Sequence, residues 1–327
     1  MTRHANEAQV TVVTLGPIAS AEQWLAAGSV GDVITFVGAS ESGSRAGRRA
    51  LGLGLDSFIV ALKTIGRPRS ETYLATNPWI AVALRMLGRQ RTVVTGIYAT
   101  PGTRNWAILR KLLPKALFIT LSRVEAENWN RSGGRAVSVI YGNDFPYNPS
   151  DPPLHEPFRI FVGGSSDRDL KAVALLEQQV LSSNESIELV VAVGGPERTF
   201  RNGPAVVHYL PSLSQVDFGA AIAGSHLTYL PLLDRERAAG HMILVGSMQV
   251  GVPVIVTGGL GMDGYIDGRF VQIAPRNNSP LQALVGARNG LPGRSETHEH
   301  WRARFSRAVY LSQIDAVIRH ASTLSRR

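Results

Sequence analysis

Short apolar runs alternate with longer amphipathic segments along the first half of the chain. The apolar runs are rich in β-branched residues, as buried strands are, and lie at residues 10–16, 32–38, 71–76, 91–100, 116–122 and 136–142. Segments of helical period separate the later runs, at residues 78–89, 103–113 and 123–133. Strands and helices that alternate at this spacing predict βα units around a parallel sheet with both faces covered.

The second half repeats this alternation after a break. Residues 143–157, NDFPYNPSDPPLHEP, contain five prolines and interrupt the pattern, which is typical of a linker. We therefore predict two doubly wound, Rossmann-like α/β domains that face a cleft, with a ligand at the carboxyl ends of their parallel strands. The predicted bounds are residues 1–150, residues 157–305 and a terminal helical segment at residues 306–327.

Composition narrows the class of protein without choosing a function. The 327 residues are 44% hydrophobic and 18% charged, and they include no cysteine, which excludes disulfides, thiolate metal sites and a cysteine nucleophile. No apolar run approaches the ~18–20 residues that span a bilayer, and the first residues lack the apolar core of a signal peptide. We therefore expect a cytoplasmic protein.

The net charge of +9 is concentrated in the first half. Residues 1–155 carry 17 Lys and Arg against 10 Asp and Glu, whereas residues 156–327 carry 17 against 15. Peripheral contact of the first domain with the anionic inner face of a membrane would explain this excess, and a solvated arginine-rich surface would explain it equally well. No recognisable nucleic-acid-binding module accompanies the charge, so we expect no nucleic-acid partner.

The segment at residues 104–118 has the same two interpretations. Its basic residues are interleaved with Trp106 and four aliphatic residues. It is either an interfacial helix, in which each basic residue contributes roughly 1 kcal/mol near an anionic surface, or a helix that packs its apolar face into the core. We favour the second.

Residues 226–257 predict one complete unit of a parallel sheet. An apolar strand at 227–231 leads through a polar loop to Gly240 and His241, where a helix of about ten residues begins, and a second buried strand follows at 254–257. A helix that starts at a glycine exposes backbone N–H groups to which an anionic phosphate can bind.

Two further motifs have simpler explanations than a ligand site. The G-x-G-x-x-G sequence at residues 259–264 follows a strand, but no acidic residue occurs from 268 to 295, so we interpret it as a turn and not as a dinucleotide site. The D-x-D sequence at residues 167–169 could hold a metal, although acids at a helix start more often cap the helix. No H-E-x-x-H, G-x-S-x-G or Walker A sequence occurs.

Three stretches of the chain together have the order and spacing of one known family. They are ALFITLSRVEAENWNRSGGRAVSVIYGNDFPYNP, IFVGGSSDRDLKAVALL and PLLDRERAAGHMILVGSMQVGVPVIVT. They resemble, in turn, the end of the first domain, the next strand-to-helix turn and the donor site of two-domain, GT-B-fold glycosyltransferases, the group often called family 4. The resemblance covers residues 116–322, and it implies that the terminal helix crosses back to the first domain.

The resemblance implies a site for a nucleotide-activated sugar within residues 157–305. A glycine-bearing turn and a helix start would bind its diphosphate, namely Gly163, Gly164 and Arg168 with Gly240, His241, Met242 and Ile243. The nucleoside would lie against Tyr209, Leu210, Ser212 and Gly246. The acceptor would bind the first domain near Gly16, Pro17, Asn77 and Tyr98, with a further loop at residues 40–49. Neither a metal nor another cofactor is expected, because the nucleotide-sugar is a substrate.

The chain departs from the family at acidic positions. Relatives carry a glutamate that holds the donor ribose where this chain has Gly246, and a partner acid where it has Ala238; Tyr98 also stands where many relatives have an active-site histidine. The leading hypothesis is a retaining, metal-independent glycosyltransferase of the hexosyltransferase type, acting on a small molecule, a glycan or a lipid-linked acceptor. The alternatives are a non-catalytic GT-B-fold partner or scaffold and a sugar-nucleotide epimerase, for which the chain offers few acids.

Overall fold

The chain divides into two α/β units. Unit 1 extends to Val139 and resumes at Leu311, whereas unit 2 is Ile140–Tyr310. The computed structural model describes residues 10–38, 46–147, 157–274 and 279–324, with the backbone alone at 46–51 and 322–324. The first division falls before the proline-rich segment because residues 140–147 pack within unit 2. There, Tyr141 N–H donates to Tyr265 Oη at 2.7 Å.

Unit 1 is built on a six-stranded parallel sheet. Its strands are β1 (Val10–Leu15), β2 (Val30–Phe36), β3 (Thr72–Ala75), β4 (Thr92–Thr95), β5 (Leu117–Thr120) and β6 (Arg135–Ser138). Its helices are α1 (Ile18–Glu22), α2 (Ala46–Leu62), α3 (Pro78–Met86), α4 (Arg104–Leu112) and α5 (Arg123–Arg131). The strand order is β2-β1-β3-β4-β5-β6, so the direction of winding reverses between β1 and β3.

Aromatic side chains of α4 and α5 pack together in the core of unit 1. Trp106 and Leu109 of α4 are buried. The Trp106 ring meets Trp129 of α5 edge to face, with 4.7 Å between centroids. The Arg110 guanidinium lies 5.0 Å from the centroid of the Trp129 ring. The apolar face of α4 is therefore part of a protein core, as the second interpretation of residues 104–118 expects.

Unit 2 is built on a seven-stranded sheet. Its strands are β7 (Phe158–Gly163), β8 (Ile187–Ala192), β9 (Arg198–Asn202), β10 (Ala205–Tyr209), β11 (Leu227–Leu230), β12 (Val254–Val256) and β13 (Val271–Ile273). Its helices are α6 (Leu170–Ser182), α7 (Gln215–Ala223), α8 (His241–Gln249), α9 (Pro280–Ala287) and α10 (Arg294–Arg304), and α11 (Arg307–Leu324) begins here and continues in unit 1. The strand order is β13-β12-β11-β7-β8-β10-β9, parallel except for the antiparallel edge strand β9.

Both faces of the second sheet are covered. Val254 and Val256 of β12 belong to an apolar cluster with Leu244 of α8. Ile255, between them, belongs to a second cluster with Leu176 of α6. Since successive side chains of a strand point to opposite faces, α6 and α8 lie on opposite sides of the sheet. No helix within the described ranges is long and apolar enough to cross a membrane.

Candidate functional site

The candidate site lies where the winding of the second sheet reverses. β7 is the first strand of the unit and lies between β8 and β11, so the helices that follow β7 and β11 lie on opposite faces of the sheet. Ligands of doubly wound folds bind at such a point, at the carboxyl ends of the strands. Backbone hydrogen bonds join the two loops: Leu233 N–H donates to Asp167 O and Asp169 N–H donates to Pro231 O, both at 3.0 Å. The turn after β7 and the loop after β11 therefore form one structure.

Arg168 is the central side chain of this structure. It is 6% exposed, and its Nε donates to Gly163 O at 2.6 Å. A Cβ built on Gly164 would lie 2.9 Å from Arg168 Nη2, and one on Gly240 would lie 3.5 Å from Arg168 Nη1. The guanidinium thus lies against both glycines and brings the turn after β7 to the start of α8.

The charge of Arg168 has no carboxylate partner within the described ranges. Its Nη1 donates a second hydrogen bond to the carbonyl of Ser166 at 3.2 Å. Burial lowers the pKa of Arg168 to about 10, an effect that the nearby Asp167 charge opposes, so the side chain remains a cation at neutral pH. A buried cation without a paired anion is costly, and a bound anion would offset this cost.

The start of α8 adds backbone donors beside this cation. Gly240 is the N-cap, in the left-handed region with φ 79°, and as a glycine it supplies no capping side chain. Across the part of the chain that the structure describes, the N–H groups of Gly240, His241 and Met242 form no hydrogen bond, whereas Ile243 N–H donates to Gly240 O at 3.1 Å. Of the four residues predicted to bind the diphosphate here, Gly240, His241 and Met242 thus have an N–H group that is not bonded within the helix, whereas the Ile243 N–H is bonded in its first turn.

In the turn after β7, one predicted N–H group is bonded in the same way. Gly164 N–H donates to Ala192 O at 3.0 Å, so it is already bonded within the sheet. A Cβ on Gly164 would lie 2.4 Å from Ile243 Cδ1, and one on Gly163 would lie 2.8 Å from Phe218 Cζ. These two glycines allow the close approach of α7, α8 and Arg168 to the end of β7.

The His241 side chain holds a glycine-rich segment against the start of α8. Its Nε2 lies 3.0 Å from Gly261 O, and since a carbonyl only accepts, Nε2 carries the proton. Burial lowers the pKa of His241 to about 4; the Arg168 charge adds to this and the bond to Gly261 opposes it, so the ring is neutral at pH 7. The motif at 259–264 contains a single 3-10 turn, Leu260–Met262, as its interpretation as a turn expects.

Asp167 organises two arginines that sequence reasoning missed. Its side chain is 4% exposed and pairs with Arg235 Nη1 at 2.9 Å and with Arg237, whose Nε donates at 2.6 Å. Of the two acids in the D-x-D motif, only Asp169 caps α6, accepting from Lys171 N–H at 3.0 Å. The alternating charges of DRER at 234–237 were the available signal for this contact. No group of three or more His, Asp or Glu side chains is placed to hold a metal ion within the described residues.

The residues predicted near the nucleoside lie at the end of β10 and in α8. The Tyr209 hydroxyl donates to Glu177 Oε2 at 2.5 Å, which directs the ring to α6, and burial raises its pKa to about 12. Leu210 N–H donates to Val191 O at 2.8 Å, and Ser212 is exposed. Gly246 is buried on α8. The Tyr209 side chain and the Leu210 N–H are therefore already bonded within the protein.

The residues predicted for the acceptor follow the strands of the first sheet. Gly16 and Pro17 come after β1 and Asn77 after β3, the two strands between which the winding reverses. The Asn77 side chain caps α3 by accepting from Trp79 N–H at 2.8 Å. Tyr98, after β4, has φ 53° and is 68% exposed. The predicted loop at 40–49 lies outside the residues whose side chains are described.

Two doubly wound α/β units in one chain define a class of fold, the GT-B fold. Solved structures of glycosyltransferases share this fold. A sucrose-phosphate synthase from Thermosynechococcus elongatus matches with a TM-score of 0.69 at 10% identity, over 97% of this chain and 100% of that chain. A glycosyltransferase from Rickettsia africae matches with a TM-score of 0.61 at 8% identity, over 97% and 99%.

A third solved structure carries a nucleotide. The HepE protein of Anabaena, in complex with UDP, matches with a TM-score of 0.57 at 16% identity, over 98% of this chain and 100% of that chain. No protein-family profile matches the sequence, and no curated protein does. The likeness is therefore one of fold, and it confirms the predicted α/β architecture of GT-B type.

Proposed function

We propose that the protein is a glycosyltransferase that moves a sugar from a nucleotide-sugar donor to an acceptor. The observation that carries the proposal is Arg168, a buried cation without a carboxylate partner in the described ranges, set against Gly164 and Gly240 at the reversal point of the second sheet. An anion with two or more phosphates fits this arrangement of a guanidinium and backbone N–H groups. The shared fold with glycosyltransferases, one of them in complex with UDP, supports the same class of ligand.

The chemistry would depend on stabilising the leaving group. As the sugar leaves, negative charge grows on the diphosphate, and fixed donors aimed at that charge lower the barrier. Arg168 and the N–H groups of Gly240, His241 and Met242 would supply these donors without reorganisation. Retention of configuration and independence from metal follow from the family resemblance and are part of the proposal; we assign no catalytic base.

The acceptor would bind unit 1. Gly16, Pro17, Asn77 and Tyr98 follow strands of the first sheet at or beside its reversal point, where ligands of doubly wound folds bind. Tyr98 supports this placement, because a non-glycine residue at φ 53° is strained and such strain is concentrated at functional positions.

Calorimetry with nucleoside diphosphates tests the donor site. Thermal-shift measurements with UDP, GDP, ADP and dTDP select the best ligand, since binding to the folded state raises the melting temperature. Arg168→Gln should then weaken that ligand about ten- to hundredfold, the effect of one or two hydrogen bonds from a charged group. The matched control is Arg159→Gln near the other end of β7, where Arg159 Nε pairs with Glu188 at 2.7 Å.

The same measurements separate the proposal from a non-catalytic GT-B-fold protein. If no nucleotide binds, or if Arg168→Gln and Arg159→Gln bind equally well, the donor site is wrong. If a nucleotide binds but no sugar-nucleotide is turned over with any acceptor, the result favours the scaffold alternative. The lack of acids at Ala238 and Gly246 would agree with that result.

A further inference from the structure

Tyr147 fills the space beside α8 that a side chain at position 246 would occupy. A Cβ built on Gly246 would lie 2.7 Å from Tyr147 Cε2 and 3.3 Å from its hydroxyl oxygen. On the part of the ring nearer to the main chain of Tyr147, a Cβ built on Gly219 of α7 would lie 2.4 Å from Tyr147 Cδ1. Overlaps of this size are not tolerated in a packed interior, so the ring can lie against both helices only because both positions are glycine.

The segment that carries Tyr147 is fixed to the same helix. Phe145 N–H donates to Gln249 Oε1 at 2.8 Å, and Gln249 Nε2 donates to Phe145 O at 2.9 Å. The Phe145 and Tyr147 rings stack, with centroids 5.0 Å apart and 17° between their planes. The position of the phenol relative to α8 is therefore set within unit 2.

The Tyr147 hydroxyl has no hydrogen-bond partner among the described residues. Burial raises the pKa of Tyr147 to about 12, so the phenol is protonated at neutral pH and can both donate and accept a hydrogen bond. A ligand hydroxyl is a matching partner.

The phenol lies against the helix that begins at the proposed phosphate site. Phe218 precedes Gly219 on α7, and its ring would lie 2.8 Å from a Cβ built on Gly163, at the end of β7. Gly246 lies six positions after Gly240 along α8, which corresponds to about 9 Å of helix. A diphosphate at the start of α8 with a ribose attached extends over a comparable length.

We infer that the Tyr147 hydroxyl contacts the ribose of the bound nucleoside diphosphate and sets the preference of the site for that sugar. The inference rests on the proposed function and adds a residue to it. A glutamate carboxylate can accept hydrogen bonds from two neighbouring ribose hydroxyl groups at once, whereas the single hydroxyl of a phenol bonds to one of them. Loss of that one ribose hydroxyl should therefore cost about three- to tenfold in affinity, the range of one neutral hydrogen bond, and the other hydroxyl should matter less.

Tyr147→Phe tests this by calorimetry, because it removes the hydroxyl and keeps the ring between Gly219 and Gly246. The ligands are the best binder among UDP, GDP and ADP, its 2′-deoxy and 3′-deoxy analogues, and inorganic pyrophosphate. We expect Tyr147→Phe to weaken the nucleoside diphosphate about three- to tenfold, to leave pyrophosphate and the melting temperature unchanged, and to have no effect on one of the two deoxy analogues. Tyr73→Phe in unit 1, where the hydroxyl donates to Glu71 at 2.9 Å, is the matched control and should bind nucleotide as the natural protein does.

The possible outcomes separate this inference from the proposed function. If the natural protein binds nucleotide and Tyr147→Phe binds it equally well, the inference is wrong and the donor site stands. An equal loss for nucleotide and pyrophosphate also overturns it, because the hydroxyl would then act through the phosphates. If neither nucleotide nor pyrophosphate binds the natural protein, both proposals fall.

Discussion

In unit 1, the loops that meet at the reversal point of the sheet have their polar groups already bonded. Gly16 N–H donates to Phe36 O at 3.0 Å, its carbonyl accepts from Thr35 Oγ1 at 2.5 Å, and the Asn77 side chain caps a helix. In unit 2, the corresponding loops bring together the buried Arg168 and the three N–H groups that begin α8. The same topology thus provides a location for a ligand in both units, and the loop sequence decides whether that location attracts an anion.

Lowering the pH should reduce the free energy of unfolding of unit 2 through the titration of His241. The pKa of His241 is lowered from 6.5 to about 4 in the folded protein, so the unfolded chain takes up a proton that the folded chain excludes. This contribution to stability is complete above pH 6.5 and is lost as the pH falls towards 4. The difference of roughly 2.5 pKa units corresponds to about 3 kcal/mol at most. Urea unfolding between pH 7.5 and 4.5 measures it.

His241→Gln is the control for this pH dependence. Glutamine keeps an N–H donor for the Gly261 carbonyl and cannot be protonated in this range. Subtracting the pH dependence of its unfolding free energy from that of the natural protein cancels the contribution of the carboxylates. Amide hydrogen exchange should place the acid-sensitive opening at β7 and β12 rather than β1 and β4. Parallel curves for the two proteins would show that His241 has no such role.

Gly164→Ala should separate backbone strain from disturbance of the anion site. Gly164 has φ 79° and Gly88 of unit 1 has φ 78°, so alanine at either position costs about 1–2 kcal/mol. At Gly164 the new Cβ would also displace Arg168 Nη2 and Ile243 Cδ1, whereas at Gly88 nothing lies within 4 Å. We expect about 1 kcal/mol of further destabilisation at Gly164 and a weaker affinity for pyrophosphate.

Gly88→Ala provides the reference for that experiment, since it has the strain without the overlap. Chemical denaturation gives both free energies of unfolding, and calorimetry gives both pyrophosphate affinities. Equal pyrophosphate affinity in the two variants would mean that the position of Arg168 does not control anion binding.

Sequence patterns mark features that lie within single βα units. Gly164 directly follows the buried strand β7 and Gly240 directly precedes the helix α8, so both could be singled out without knowledge of a tertiary contact. The Tyr147 contact could not, because its partners Gly219 and Gly246 are distant in the chain and glycines carry no pattern of their own. Strand β9 was missed for another reason: it is an exposed antiparallel edge strand, so the apolar periodicity that marks buried strands is absent from it.

Asn77→Ala should have the smallest effect of these substitutions, and it tests the loops at the reversal point of unit 1. Asn77 accepts from Trp79 N–H at the start of α3, and losing an N-cap costs about 1 kcal/mol of stability. Nucleoside diphosphate affinity should not change, because the donor site is built in unit 2. Asn77→Asp keeps an oxygen for the cap and should restore the stability measured in urea. If Asn77 also binds the acceptor, Asn77→Asp should fold normally and still show a raised KM for the acceptor in a transfer assay, whereas an unchanged KM would leave Asn77 a helix cap alone.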